Sequence, residues 1–144
     1  MDARTEELRA AHDVLSEFYA EYLDGALDRM PGDRALLGLF CELTLGAGIG
    51  AEVADVGCGT GRLEPFLAGR GLAPRGFDLS PEMIRVARRE QPGFEYEVAD
   101  LRALPPAEME RLANDAGFAT VFWAGIPPEK EGASTQGFLI ARKA

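Results

Sequence analysis

Residues 53–67 read VADVGCGTGRLEPFL. A short apolar run ends in an aspartate, Asp55, and then passes through Gly57, Gly59 and Gly61 before an amphipathic segment begins. Glycine is the residue that tolerates left-handed backbone and lets a main chain approach a ligand closely. A strand that enters such a turn and leaves as a helix is by itself more often a tight connection, and it becomes a binding place when other residues converge on it.

Outward from this turn the same alternation repeats. The run AEVADV is followed by RLEPFLAGR, then APRGFDL by PEMIRVARRE, then FEYEVAD. Strands alternating with helices of about ten residues point to parallel βαβ units. Ser80 and Pro81 form a matched start signal for the second of these helices, and Gly71 suits the end of the first.

On the N-terminal side, residues 6–27 carry Leu8, Ala11, Leu15, Phe18, Tyr19, Tyr22 and Ala26 at spacings of three and four, which predicts an amphipathic helix softened near Gly25. A second helix is expected from Asp33 as N-cap through RALLGLFCELTL, mostly buried because it is apolar along its length, and stopped by GAGIG. On the C-terminal side a helix is expected over 106–116 and strands over 118–123 and in QGFLIARKA, with the polar loop IPPEKEGAST between them.

Composition bounds the function. With 144 residues, 47% of them hydrophobic and 27% charged, the expectation is one packed domain. It divides into an N-terminal helical cap (1–48), a βαβαβ segment (49–105), and a helix with a C-terminal hairpin (106–144). The formal charge of −9 repels phosphodiester backbones and argues against nucleic acid as a partner. No apolar run spans a bilayer and no secretory leader opens the chain, so no membrane association and a cytoplasmic location are expected. Cys41 and Cys58 stand without histidines or further thiols at ligand spacing, so no metal site is expected and both read as reduced, buried thiols. His12 reads as a packing or solvent-facing residue, and the acids of the first helix read as a solvated face.

The glycine turn admits two classes of ligand. Dinucleotides use G-x-G-x-x-G, whereas this chain has G-x-G-x-G. Asp55 at the strand end faces whatever the turn holds, and a carboxylate there repels a pyrophosphate and attracts a cation. Asp78 and Asp100 close the second and third runs, which in a parallel sheet brings all three acids to one edge, where open α/β sheets bind ligands.

These three stretches, EVADVGCGTG, GFDLSPEMIRVAR and YEVADLRALP, resemble the ordered motifs of the class I S-adenosylmethionine-dependent methyltransferases over residues 52–105. The resemblance implies a Rossmann-like α/β sheet, mostly parallel, with an antiparallel last strand and helices on both faces. It implies S-adenosylmethionine as cofactor, S-adenosylhomocysteine as product and a small-molecule acceptor. It also implies roles for matched positions. Asp55, Gly57, Cys58, Gly59, Thr60 and Gly61 would lie near the methionine moiety and Asp78 on the ribose hydroxyls. Leu79 and Met83 would pack against adenine, with Asp100 and Leu101 at its edge. Tyr19 and Tyr22 are substrate-side candidates on a helix that folds over the cofactor in similar enzymes. No catalytic acid or base is assigned, since the sulfonium is already activated.

The chain also departs from that family. ADLRALPP runs almost directly into AEMERLANDAGF, so the family's fourth and fifth strands have no counterpart. The expectation is a sheet of five strands in the order 3-2-1-5-4, or a homodimer that completes the open edge. Two readings of function follow: a methyltransferase, or a remnant that binds S-adenosylmethionine without turnover.

Overall fold

The computed structural model describes residues 3–48, 50–99, 118–126 and 136–143. The chain divides into two compact units, one comprising residues 1–46 and 50–102, the other residues 47–49 and 103–144. The expected helix over 106–116 and the site candidates Asp100 and Leu101 lie outside the described residues.

The first unit opens with helix α1 (Ala3–Tyr22), a single turn α2 (Ala26–Arg29) and helix α3 (Pro31–Gly46). The predicted first helix is thus broken at Gly25, whose φ of 60° is left-handed. The second begins at Pro31 rather than after an Asp33 cap, because proline presets a helical φ and the N–H it lacks is one that a first turn leaves unbonded anyway. Asp33 sits inside that first turn, where a negative charge suits the helix dipole.

The βαβαβ core follows as β1 (Glu52–Val56), α4 (Glu64–Ala68), β2 (Ala73–Asp78), α5 (Pro81–Glu90) and β3 (Glu95–Val98). The three strands form one parallel sheet in the order β1-β2-β3, with Asp55 level with Gly76 and Gly76 level with Tyr96. Val53 packs with Cys41, Leu67 and Leu72 beneath α3 and α4, while Tyr96 packs with Cys58, Ile84 and Ala87 beneath α5. Both cysteines are free and buried, as expected. The other face of the sheet carries Arg75, which pairs with Glu97 at 2.9 Å.

Helix α5 matches its prediction at both ends. Ser80 takes an extended backbone and its hydroxyl accepts the Met83 N–H at 3.0 Å. Arg88 and Arg89 occupy the last turn, where positive charge complements the helix dipole.

Two expectations are corrected. Helix α3 is not mostly buried: among its residues Cys41 is enclosed, while Leu36, Leu39, Leu43 and Leu45 stay exposed, because α3 meets the core along one stripe only. The expected single sheet of five strands is replaced, among the described residues, by pairings in two sheets of three and two strands. The second unit holds β4 (Phe118–Ile126) and β5 (Gln136–Lys143), paired antiparallel as a separate two-stranded sheet with an irregularity between Thr120 and Phe122. Within this unit β4 and β5 pair with each other in near-continuous register.

Candidate active site

The glycine turn is built from the end of β1 and held from below by β2. The N–H groups of Gly57 and Cys58 both donate to the Phe77 carbonyl, at 2.7 and 3.1 Å, and the Gly61 N–H donates to Cys58 O at 3.1 Å. Gly57, Gly59 and Gly61 have φ of 82°, 55° and 78°, a region that side-chain-bearing residues rarely adopt. A Cβ at Gly57 or Gly59 would meet nothing within 4 Å, so both open onto free space. Gly61 differs, because a Cβ there would collide with the Tyr96 hydroxyl.

Asp78 closes the turn. Its Oδ2 accepts the Gly59 N–H and its Oδ1 the Ser80 N–H, each at 2.9 Å. With four N–H groups of the turn spent on protein acceptors, the turn is not a vacant cradle for a phosphate. Two lone pairs on each carboxylate oxygen leave Asp78 able to accept hydroxyl protons as well.

Asp55 lies beside it, with Oδ2 buried and without a hydrogen-bond partner. Burial pushes its carboxyl up to about 6; Arg62 pulls against that shift and Asp78 reinforces it. Asp55 and Asp78 therefore come together as the strand pattern predicts, and Thr60 and Cys58 are buried within the turn between them. Met83 is buried in the first turn of α5, and Leu79 is half-buried just before it.

A third acid, unforeseen from sequence, completes the group. Glu64 is fully enclosed at the start of α4, and neither of its carboxylate oxygens has a hydrogen-bond partner. Its Oε1 sits 2.6 Å from where a Cβ on Gly76 would stand, with the Tyr96 ring equally close. Burial and then the Asp55 charge raise its carboxyl to about 7, and the neighbouring N–H groups of Glu64 and Leu63, which make no hydrogen bond of normal geometry to it, offset this only in part. Two sequence signals point to it in retrospect: a glutamate within an apolar helix start, and a strand-interior glycine, which marks close approach by another group.

Helix α1 is fastened to the same edge by polar contacts. Asp13 Oδ1 accepts the Ser80 hydroxyl at 2.5 Å, and Glu17 pairs with Arg85 at 2.7 Å and with Arg89 at 2.8 Å. The acids of α1 are therefore not all a solvated face, since these two dock the helix. A hollow of about 470 Å³ lies between α1, α5 and the outer side of the turn, lined in part by Glu21, Asp24, Thr60 and Arg62. Neither Tyr19 nor Tyr22 lines it. Tyr22 is exposed and stacks on Phe18 with ring centres 5.4 Å apart.

A family model described as a methyltransferase domain matches residues 53–125, just over half of the chain. The chain belongs to this methyltransferase domain family. Among curated relatives, a ubiquinone biosynthesis O-methyltransferase of Xylella fastidiosa is 39% identical over 71 residues, covering 44% of this chain and 29% of that protein. A trans-aconitate 2-methyltransferase of Methylobacterium nodulans is 38% identical over 89 residues, covering 60% of this chain and 33% of that protein. The chain thus spans about a third or less of the curated relatives it matches. Among solved structures, a TehB-like SAM-dependent methyltransferase of Corynebacterium glutamicum shares 29% identity over 65% of this chain and 50% of that one, with a TM-score of 0.44.

The cofactor this family implies is S-adenosylmethionine, and the donor set suits it. A buried carboxylate oxygen without a partner at Asp55 offers a negative group to a cation, and Gly57 and Gly59 leave space beside it. Among the described residues no cluster of three or more histidine, cysteine, aspartate or glutamate side chains is arranged to hold a metal, and no helix is long and apolar enough to cross a membrane.

Proposed function

We propose that this chain binds S-adenosylmethionine at the glycine turn and transfers its methyl group to a small-molecule acceptor. The observation that carries the reading is the convergence of Asp55 and Asp78 on a turn whose own N–H groups are already bonded. An anionic ligand would meet acids there, whereas a sulfonium and an ammonium are attracted by them.

The bound cofactor supplies an electrophilic methyl group, so the chain has no bond to polarise. Its residues bind and align. Asp55, with the turn from Gly57 to Gly61, would hold the charged methionine end, and Asp78 would accept from the ribose hydroxyls. Leu79 and Met83 would flank the base, joined by Asp100 and Leu101 as the motif match suggests. Rate acceleration then comes from holding the acceptor in line and excluding water.

A second reading is a module that binds the cofactor without turnover. One observation favours it: ADLRALPP runs almost directly into AEMERLANDAGF, which leaves the family's fourth and fifth strands without a counterpart to wall an acceptor pocket. Loss of those strands, and completion of the sheet edge by a second copy, belong to this reading. A cytoplasmic location and a partner other than nucleic acid belong to the same proposal, the second supported by the charge of −9.

Calorimetric titration with S-adenosylmethionine, S-adenosylhomocysteine and a nicotinamide dinucleotide tests the cofactor assignment. Saturable binding of the first two is expected. Binding of the dinucleotide alone would overturn it, and methyl transfer to a panel of small acceptors separates enzyme from binding module.

A further inference from the structure

Asp55, Gly76 and Tyr96 stand level with one another across the three strands of the sheet. Gly76, the middle member, has no side chain, and Glu64 descends from α4 into that gap, its Oε1 2.6 Å from the missing Cβ. Neighbouring strands lie about 4.8 Å apart, so the Glu64 carboxylate occupies the cross-strand position beside Asp55. The Tyr96 ring covers the same glycine and its hydroxyl reaches to Gly61 in the turn.

Among the described residues five side-chain atoms are sealed without hydrogen-bond partners: Asp55 Oδ2, both Glu64 oxygens and the Tyr96 hydroxyl oxygen in this layer, and Arg62 Nη1, whose guanidinium acts on Asp55. Among the described residues the wholly enclosed Glu64 forms no ion pair, and two adjacent buried carboxylates do not both ionise readily.

Resting on the cofactor reading above, we propose that Asp55 and Glu64 hold one proton between them beneath the glycine turn, and that binding of the sulfonium cofactor expels it. Glu64 thereby becomes a positioning residue that sets the preference for the charged cofactor over its uncharged thioether product. In the ligand-free protein one carboxyl carries the proton. When a positive centre arrives at Asp55, that O–H bond breaks, the proton passes to buffer, and the carboxylate left behind faces the sulfonium. The product keeps the same ammonium and carboxylate but has no sulfonium charge, so it drives less release.

The groups that face this pair are few. Arg62 draws Asp55 toward its charged form, while Asp78 opposes ionisation there. Glu64 meets Asp55 from β1 and the N–H groups of Leu63 and its own residue. Cys58 and Tyr96 are pushed away from ionisation by burial and by these acids, so both stay neutral and donate no charge of their own.

Titration calorimetry in buffers of differing ionisation enthalpy counts the protons. At pH 6.5 wild-type protein is expected to release about half a proton or more per S-adenosylmethionine and less per S-adenosylhomocysteine, with release fading by pH 8.5. In Glu64→Gln the carboxyl that carries most of the proton at this pH is gone, and release should fall by at least about half. Saturable binding of S-adenosylmethionine with no proton release between pH 6 and 7.5 overturns the proposal while leaving the cofactor reading intact. Equal release for the two nucleosides, or release undiminished in Glu64→Gln, overturns it as well. Failure of both nucleosides to bind defeats the cofactor reading and this proposal together. The wild-type proton count stands by itself if the variant does not fold.

Discussion

Asp78 Oδ2 accepts the Gly59 N–H across 2.9 Å, so the acid that ends β2 latches the turn that leaves β1. Its second oxygen takes the Ser80 N–H at the same distance, tying the latch to the start of α5. The residue proposed to accept from the ribose hydroxyls is thus also a structural clasp. Asp78→Ala leaves two N–H groups without acceptors, each worth about 1–3 kcal/mol if water does not replace the bond. The expected result is a stability loss of about 2 kcal/mol by denaturant melting, together with a tenfold or greater drop in S-adenosylmethionine affinity. Unaltered stability would show that the clasp contributes nothing.

Much of this was legible in the sequence. Hydrophobic alternation placed β1, β2, β3 and α5 within a residue or two, and the Ser80–Pro81 pair marked the start of α5 by ordinary capping chemistry. Two of the three strand-end acids meet at the turn. The departures have local causes. α3 reads as buried because leucines surround it, yet burial depends on how many neighbours a helix has, and α3 has them along one stripe. Strand partners are not written in a strand's own residues, so QGFLIARK fits a place beside β1 as well as the one it takes beside β4. Glu64 escaped notice because charge is normally read as exposure. The docking role of Glu17 shows only when it is set against Arg85 and Arg89, four apart on α5 and both paired with it, and that of Asp13 only when the Ser80 cap is brought beside it.

The buried acids give stability a definite pH slope. Glu64 is raised to about 7 and Asp55 to about 6, both above their ordinary values, so the folded state binds more protons than the unfolded one between about pH 4 and 7. The protonated pair is compatible with the fold at low pH, and that stability is lost as pH rises through 6 and 7. Glu64→Gln should flatten the slope and make the protein more stable than wild type at pH 8, by on the order of 1–3 kcal/mol. Urea melts at pH 5.5 and 8 provide the check. A variant that loses as much stability with rising pH as wild type would exclude Glu64 as the source.

Gly76 is required by what fills its missing side chain. A methyl there would stand 2.5 Å from Tyr96 Cδ1 and 2.6 Å from Glu64 Oε1, well inside van der Waals contact. Neither neighbour has room to retreat, since Glu64 is fully enclosed and Tyr96 nearly so. Gly76→Ala is expected to destabilise the protein by about 1–3 kcal/mol through overpacking, despite alanine's better fit to a strand backbone. Thermal melting reads this directly. Combining it with Glu64→Ala, which vacates the space, should return part of the loss; strictly additive losses would mean that the two side chains do not compete for one place.

Asp13 ties α1 to the edge where the cofactor is proposed to sit. Its Oδ1 takes the Ser80 hydroxyl and lies 3.3 Å from the Glu82 N–H, while Oδ2 pairs with Arg9 at 2.8 Å. The Ser80 oxygen in turn accepts the Met83 N–H, so one hydroxyl caps α5 while donating to α1. Removing Asp13 deletes the α1 half of this arrangement but leaves the Ser80–Met83 cap, whereas removing Ser80 deletes both. Asp13→Ala is therefore expected to destabilise by about 1 kcal/mol and Ser80→Ala by about 1–2 kcal/mol. The double variant should fall short of their sum by about 0.5–1 kcal/mol, because the shared bond is lost once only. Hydrogen exchange adds a spatial reading. Asp13→Ala should speed exchange along α1 while α5 stays protected by its own cap, and equal acceleration in both helices would contradict a contact that serves mainly to dock α1.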